Sequence, residues 1–446
     1  MANGPQPAQY ICGYSSAMGG ASGNGWQSED IGGRIHCAIM LFRAHMAYGT
    51  RSLRVLIVTS IHRDFDARIW KHARSLVQAG CQVRLVCPWH VRDGEVRDGV
   101  ELRPFRRVEH RLIRPLLIPI RLGRQLLSTV GDADIVHFHD IDILPWMALL
   151  SVFRTVVYDV HENYPDEMLA RDWIPRLLRK PLYHIVGVLE TNLARIIRNC
   201  VLVVPAQDAR FDAKRLRVIH IRNYATRDLL SRVRDDYLSR QDTVVFTGAH
   251  HANNGSLLLL DIAARSRARG LHLKFLMTDR FSGDGFRRRL LGEIDRLGLG
   301  DRIVIRPYVA PHEIMSLLNE STVAMSPNLR VPTQEKGIHT KLFEYMAAGL
   351  PIIASDLPSQ VELIGSASAG LLARPEEPDS FVDALSQLVS DRARAQQLGL
   401  NGQRAFLERY CWETQMPSLL AFYDSIRARA QVPRRDSAVG VTSSER

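Results

Sequence analysis

LRVLIVTSIHRDFDARIWKHARSLVQAGCQVRLVCP, residues 53–88, holds one complete structural unit. Leu53–Ser60 is a continuous apolar run rich in Val and Ile, the pattern of a strand buried on both faces of a parallel sheet. The spacing predicts a helix over Ile69–Ala79, closed by Gly80 as a C-terminal cap. CQVRLVCP then repeats the short apolar run. Strand, helix, glycine and strand in this order make a βαβ unit.

The same alternation continues outward. DIVHFH (134–139), TVVYDV (155–160), CVLVVP (200–205) and VIHI (218–221) read as further buried strands. After a polar stretch at 226–242 a second series runs VVFTG (244–248), LKFLMT (273–278), RIVIRP (302–307), TVAMSP (322–327) and PIIAS (351–355). Two such series in tandem predict an α/β fold of two Rossmann-like, doubly wound domains facing a cleft, with a hinge near 223–242. The expected boundaries are 51–225 and 240–408, then a helix at 409–430 and a disordered tail at 431–446. Residues 1–50 open Gly/Ser/Ala-rich, without the basic start and apolar run of a secretory signal. They are expected to be a disordered extension, with Met46 as an alternative start, so that removing 1–45 leaves activity intact.

The totals agree with a folded chain: 446 residues, 46% apolar and 24% charged. No apolar run is long enough for a spanning helix. The six cysteines, Cys12, Cys37, Cys81, Cys87, Cys200 and Cys411, form no C-x-x-C pair, which fits reduced thiols and a cytoplasmic location. The net charge of +11 is one-sided: residues 51–240 hold 32 Lys and Arg against 22 Asp and Glu, and residues 241–446 hold 24 against 23. Such a surplus points to a polyanionic partner.

In open parallel sheets ligands bind beyond the carboxyl ends of the strands. The polar residues there are Ser60 and His62, His139 and Asp140, and His161 and Glu162 in the first domain. In the second they are Gly248 with His250 and His251, Asp279, Asn328 and the segment Glu335–Glu344. The strongest local signal is GIHTKLFEYMAAGLPIIASD, Gly337–Asp356. Thr340 is expected to cap a helix whose Leu342, Phe343 and Met346 face the sheet, with Gly349 ending it and Pro351 opening the next strand. The first amides of that helix, with Lys341, form an anion site suited to a diphosphate. Glu344, one turn on, is placed to accept hydrogen bonds from a ribose diol.

TKLFEYMAAGLPIIASD resembles the donor-site helix of the family 4 retaining glycosyltransferases, which have the GT-B fold. DARIWKHARSLVQAGCQVRLV (66–86), ADIVHFHDIDILP (133–145), VYDVHENYP (157–165), the Arg222–Tyr224 region and YCWETQMPSLLAFYDSI (410–426) are similar to other parts of that family, in the family's order. The resemblance implies an acceptor-side first domain, a second domain binding a nucleotide-sugar, and a final helix crossing back to the first. It implies that Glu344 holds the nucleotide ribose and that His161 lies near the donor sugar. The family's first motif Glu falls at Lys336, with Glu335 one residue out of step. Its basic residue before the loop glycine is Asn254 here, in GAHHANNG (248–255), although Gly248 matches. Lys336, Lys341 and His250 are the candidates to supply the missing positive charge, with Gly337 and Thr340 beside them.

The family's chemistry is transfer with retention of anomeric configuration by front-side attack, without a carboxylate nucleophile. Three D-x-D triplets (64–66, 132–134 and 140–142) are short enough to arise by chance, so no metal is expected to be required, and no cofactor. Arg103, Arg106, Arg107, Arg111, Arg114, Arg121 and Arg124 are interleaved with Leu112, Ile113, Leu116, Leu117, Ile118 and Ile120. This basic amphipathic stretch suggests peripheral contact with an anionic membrane, in keeping with the lipid-linked or other glycan acceptor that the resemblance implies. Nucleic acid is not expected as a partner, because no aromatic platform accompanies the charge. Two other readings remain open: a nucleotide-sugar epimerase of the same fold, and a non-catalytic partner of another transferase. A dinucleotide oxidoreductase is disfavoured, since no G-x-G-x-x-G follows any of the first strands.

Overall fold

The computed structural model describes residues 52–430, apart from 63, 65, 110–112, 171–173, 204–206, 208, 209, 212–214, 311 and 312. The expectations for 1–50, Met46 and the tail 431–446, and for Arg111 and Leu112, lie outside the described residues.

The first sheet contains β1 (Arg54–Val58), β2 (Gln82–Cys87), β3 (Val96–Arg97), β4 (Val100–Pro104), β5 (Ile135–Phe138), β6 (Val156–Val160), β7 (Asn199–Leu202) and β8 (Arg217–His220). Their order across the sheet is β3-β4-β2-β1-β5-β6-β7-β8. All neighbours are parallel except β3 and β4. The chain moves outward from β1 through β2 to β4 and then returns to β5 on the other side of β1. This reversal opens a crevice beyond the ends of β1 and β5. The helix Ala67–Gln78 starts where Asp66 accepts hydrogen bonds from the amides of Arg68 (2.9 Å) and Ile69 (3.2 Å). It buries Ile69, Trp70, Ala73 and Leu76 against the sheet.

The second sheet contains β9 (Thr243–Phe246), β10 (Lys274–Thr278), β11 (Ile303–Arg306), β12 (Val323–Ser326), β13 (Ile352–Ser355) and β14 (Gly370–Ala373). Its order is β11-β10-β9-β12-β13-β14, all parallel, with the reversal between β9 and β12. The structure is therefore α/β with two parallel-sheet units. Past the second sheet the chain returns. Met416, Leu419, Leu420, Tyr423 and Ile426 of the helix Met416–Ala430 share an apolar core with Leu53, Val55 and Ile57 of the first sheet. Trp412 secures the return by donating its indole N–H to Ser75 Oγ at 2.9 Å.

The basic segment divides into separate elements. Arg103 lies in β4 and pairs with Glu101, and a helix begins only at Arg114, with Pro119 inside it. Among the described residues no helix is long and apolar enough to cross a membrane.

Candidate functional site

The wall formed by the second sheet is built around the helix Thr340–Ala347. Beyond β9, Gly248 has φ +102°, and the loop ends at Gly255, φ +81°. A Cβ on Gly255 would sit 1.7 Å from the Pro327 carbonyl oxygen, so only glycine lets this loop lie against the end of β12. A Cβ on Gly248 would only touch Lys341 Cδ, at 4.0 Å, so it is the positive φ rather than space that favours glycine there. Lys341 Nζ stands 4.2 Å from the Phe246 ring centroid, a cation–π contact. Burial pushes its ammonium down to about 7, against the attraction of Glu344. Glu344 is half-buried; burial pushes its carboxyl up to about 7, while Lys71 and Lys341 pull it back. Tyr345 fixes the helix by accepting a hydrogen bond from the Thr247 amide at 2.9 Å.

Several residues of this wall depart from expectation. Thr340 is the first helical residue rather than the cap. His339 takes the cap position, and the Thr340 hydroxyl donates instead to the Asn223 carbonyl at 3.3 Å. His250 cannot supply positive charge. Its Nδ1 lies 3.1 Å from Ser256 Oγ, and burial with nearby Lys341 pushes it down to about 3, leaving it neutral. Lys336 already has its charge matched: Nζ is 3.0 Å from Asp166 Oδ2 on the helix Tyr164–Ala170 of the first unit. The Gly337 carbonyl accepts from Ser359 Oγ at 2.9 Å, at the end of a short helix. Lys341 has no ion-pair partner within 4.0 Å among the described residues.

The facing wall is made by the ends of β1, β5 and β6. Asp140 Oδ2 accepts hydrogen bonds from Thr59 Oγ1 (2.9 Å) and the Ser60 amide (2.6 Å). His62 Nδ1 lies 2.8 Å from Asp66 Oδ2, and its Nε2 lies 3.0 Å from His161 Nε2 and 3.2 Å from Asp140 Oδ1. Burial disfavours charge on His62, but Asp140 and Asp66 outweigh it and push the imidazole up to about 10. His161 is held below its ordinary value, first by burial. Glu162 is exposed beside it.

His139 does not join this wall. Alternation along a strand puts His137 and His139 on one face and Asp140 on the other. His139 is buried beneath, 3.5 Å from Asp159 Oδ2, with its ring against His72 and His137. Burial keeps it well below the ordinary imidazole range and neutral. Asp159 is the hub of this layer, 2.9 Å from Arg68 Nη2 and 3.3 Å from His137 Nε2. Burial alone would raise its pKa, yet Arg68 and the histidines hold it well below the usual carboxylate range.

The sequence reading missed Lys71, Asp66, Arg68, Asp159 and His339. Asp159 had a signal: a carboxylate inside the otherwise apolar TVVYDV demands a buried partner. Lys71 connects the two walls. It donates to Asn223 Oδ1 at 2.7 Å and to the Tyr224 carbonyl at 2.5 Å, and it feels both Glu344 and Asp66. A cavity of ≈ 630 Å³ lined by Arg227, Arg234, Tyr237, Gly349 and Leu407 opens at the opposite end of the Thr340–Ala347 helix, away from Lys341.

Two doubly wound sheets sharing one crevice make the GT-B architecture, and the chain is a glycosyltransferase by its family match and curated relatives. Residues 241–391 match the family described as glycosyl transferases group 1, in line with the resemblance to the family 4 glycosyltransferases. It is 25% identical over 324 residues to the MMP alpha-(1->4)-mannosyltransferase of Mycolicibacterium hassiacum, covering 71% of this chain and 76% of that one. It is also 25% identical over 158 residues to the D-inositol 3-phosphate glycosyltransferase of Nocardia farcinica, covering 35% of this chain and only 34% of that relative. In fold it is similar to the sucrose-phosphate synthase of Thermosynechococcus elongatus, with TM-score 0.67, 17% identity and coverage of 84% of this chain and 100% of that one. The Anabaena protein HepE, solved in complex with UDP-glucose, gives TM-score 0.63, 15% identity and coverage of 84% and 99%. The matched family and the curated relatives are glycosyltransferases, which sets aside the epimerase and non-catalytic readings.

Proposed function

We propose that the chain transfers a hexosyl unit from a nucleoside diphosphate-sugar to a hydroxyl acceptor with retention of anomeric configuration. The observation that carries this reading is the pairing of Lys341 and Glu344 one turn apart on a helix that opens into the crevice. Lys341 and the first helix amides receive the diphosphate, and Glu344 accepts hydrogen bonds from the ribose. The anomeric carbon–oxygen bond to the phosphate breaks and its electron pair stays on the phosphate. The acceptor oxygen bonds to the same face of that carbon, and its proton passes to the leaving phosphate. Stabilising the departing diphosphate is the main electrostatic contribution. His161 orients the sugar or the acceptor from the opposite wall. The complex of HepE with UDP-glucose supports a donor of this class on this fold.

The test is a thermal-shift screen of the purified chain over nucleoside diphosphate-sugars and free nucleotides, repeated with Lys341→Met. A nucleotide-dependent rise that is lost in the variant supports the reading. Equal shifts in both proteins would overturn it.

The acceptor reading follows from the surface of the first unit. Leu116, Ile120 and Leu127 form an exposed stripe on the helix Arg114–Thr129. Leu178, Ile185, Val188 and Ile196 form another on the helix Arg176–Ile197, with Arg176, Lys180 and Arg195 also exposed. Apolar side chains among basic ones suit the surface of an anionic bilayer, and so an acceptor held in lipid at the inner face of the membrane. Sedimentation with anionic vesicles at low salt, reversed by high salt, is the expected result. A chain left in the supernatant at low salt would end this reading.

A further inference from the structure

Three lone-pair donors converge at one point on the wall formed by the first sheet. His62 Nε2 and His161 Nε2 face each other at 3.0 Å, and Asp140 Oδ1 lies 3.2 Å from His62 Nε2. All three atoms fall within 4.8 Å of one another. In a tetrahedral zinc site, bonds of about 2.0–2.1 Å place neighbouring ligand atoms about 3.3 Å apart. The two separations from His62 Nε2, 3.0 and 3.2 Å, lie near that edge.

The surroundings decide which atoms remain available. Asp140 is fully buried, and its Oδ2 is taken by Thr59 and Ser60, while its Oδ1 is turned to His62 Nε2 at 3.2 Å. His62 Nδ1 meets the Asp66 carboxylate at 2.8 Å, and His161 Nδ1 meets the Asp159 carbonyl at 3.3 Å. Both acceptors can only receive a proton, so each Nδ1 carries a hydrogen and the two Nε2 atoms face each other, with a proton on His62 Nε2 wherever no metal ion stands between them. Two nitrogen lone pairs and a carboxylate oxygen facing one another repel unless a cation lies between them. The outer contacts are those of metal-binding histidines, whose second nitrogen is bonded to a carboxylate or a backbone carbonyl.

We propose that His62, His161 and Asp140 bind one divalent transition-metal ion of the zinc class, with Asp66 and the Asp159 carbonyl orienting the two rings. Two imidazoles and one carboxylate from the ends of three neighbouring strands leave a fourth coordination position open, the arrangement of a site that can meet a substrate oxygen. Asp66 then has two tasks, since its Oδ1 caps the helix Ala67–Gln78 while its Oδ2 orients His62. This inference does not rest on the Lys341 and Glu344 reading of the other wall, but it shares His161 with the proposed function: with both ring nitrogens engaged, His161 would act on the sugar or acceptor through the ion's open position.

The experiment is equilibrium dialysis of the full chain against Zn²⁺ alone, with elemental analysis, beside His62→Ala, Asp66→Asn and the exposed-site control His184→Ala. We expect about one equivalent bound and removable by EDTA. Affinity should fall at least a hundredfold in His62→Ala, tenfold to a hundredfold in Asp66→Asn, and not at all in His184→Ala. Less than a tenth of an equivalent bound by the wild type, or equal affinity in His62→Ala and the wild type, would overturn the proposal in favour of a shared proton. X-ray absorption on the zinc-loaded wild type needs no variant to fold: nitrogen and oxygen ligands with histidine scattering support the site, and a sulfur shell or no histidine scattering overturns it.

Discussion

Glu344→Gln removes a charge while keeping the shape of a side chain the folded protein holds at some cost. Folding raises its carboxyl from the ordinary 4.5 to about 7, chiefly by burial. A group raised in this way contributes stability that is fully present below the unfolded value and is lost as pH rises through the folded one. Above pH 7 the wild type therefore carries a poorly solvated carboxylate, at a cost of roughly 3 kcal/mol by the size of the shift. Solvent reaching a half-buried group, and the lost attraction to Lys71 and Lys341, reduce the expected gain to about 1–2 kcal/mol. Both lysines lie at about 7 themselves and are losing their protons over the same range, so their support is weakest where the carboxylate is charged. The variant should melt about 2–6 °C above the wild type at pH 8.5, by roughly two fifths of that at pH 5.5, and close to it at about pH 4. Nucleotide affinity should move the other way. Exchanging a charged acceptor for a neutral one at a ribose diol costs about 1–3 kcal/mol, or roughly fivefold to a hundredfold. Calorimetric unfolding at these pH values and a nucleotide titration give both readouts. A variant less stable at pH 8.5 with unchanged nucleotide affinity would show that Glu344 is a structural residue, and the reasoning would fail.

The other expectations concern the hub, the loop and the opposite wall. Asp159→Asn leaves the Arg68 guanidinium uncompensated in the core, so the urea midpoint should fall by the equivalent of about 3–5 kcal/mol; a loss under 1 kcal/mol would deny the hub role. Gly255→Ala sets a Cβ 1.7 Å from the Pro327 carbonyl at a left-handed φ, so the loop must move. Nucleotide binding should weaken with a stability loss of about 1–3 kcal/mol, measured by melting with and without nucleotide. His161→Ala should lower turnover while leaving nucleotide affinity unchanged, and near-normal turnover would remove its assigned role.

The buried parallel strands were legible because their apolar runs are continuous. All eleven runs read from the sequence overlap strands in the structure. The β3–β4 hairpin was missed because it depends on a tight turn at Asp98 (φ +52°) and Gly99 (φ +78°), between strands of two and five residues. β14 was missed because GLLA pairs with β13 through a close approach at Gly370, where a Cβ would lie 1.8 Å from the Ile352 carbonyl. The helix that sets Lys341 and Glu344 one turn apart was legible from its spacing, while their part in binding stays with the proposal above. The Thr340 cap misled because capping rules are local, whereas its hydroxyl is claimed by Asn223, 117 residues away. The Lys336–Asp166 pair spans 170 residues, and no spacing rule reaches that far. His139 was avoidable: strand alternation alone separates it from Asp140.

The buried lysine makes one more consequence calculable. Lys341 rests at about 7, facing Glu344 on its own helix, Phe246 at the end of β9, and His250, His251 and His339, which all feel its charge. Burial holds all three histidines below the ordinary imidazole value, so at pH 8 this wall carries little positive charge. A diphosphate entering beside Lys341 stabilises its ammonium and draws a proton onto it. Nucleotide affinity should then fall up to about tenfold per pH unit above 7, the slope of one proton taken up on binding. Isothermal titration at pH 8 in buffers of different ionisation enthalpy measures that uptake directly. A value near one proton means that the ligand charges the site as it binds. Heats that do not depend on the buffer would place the diphosphate away from Lys341, and the assignment of this helix as the donor site would fall with it.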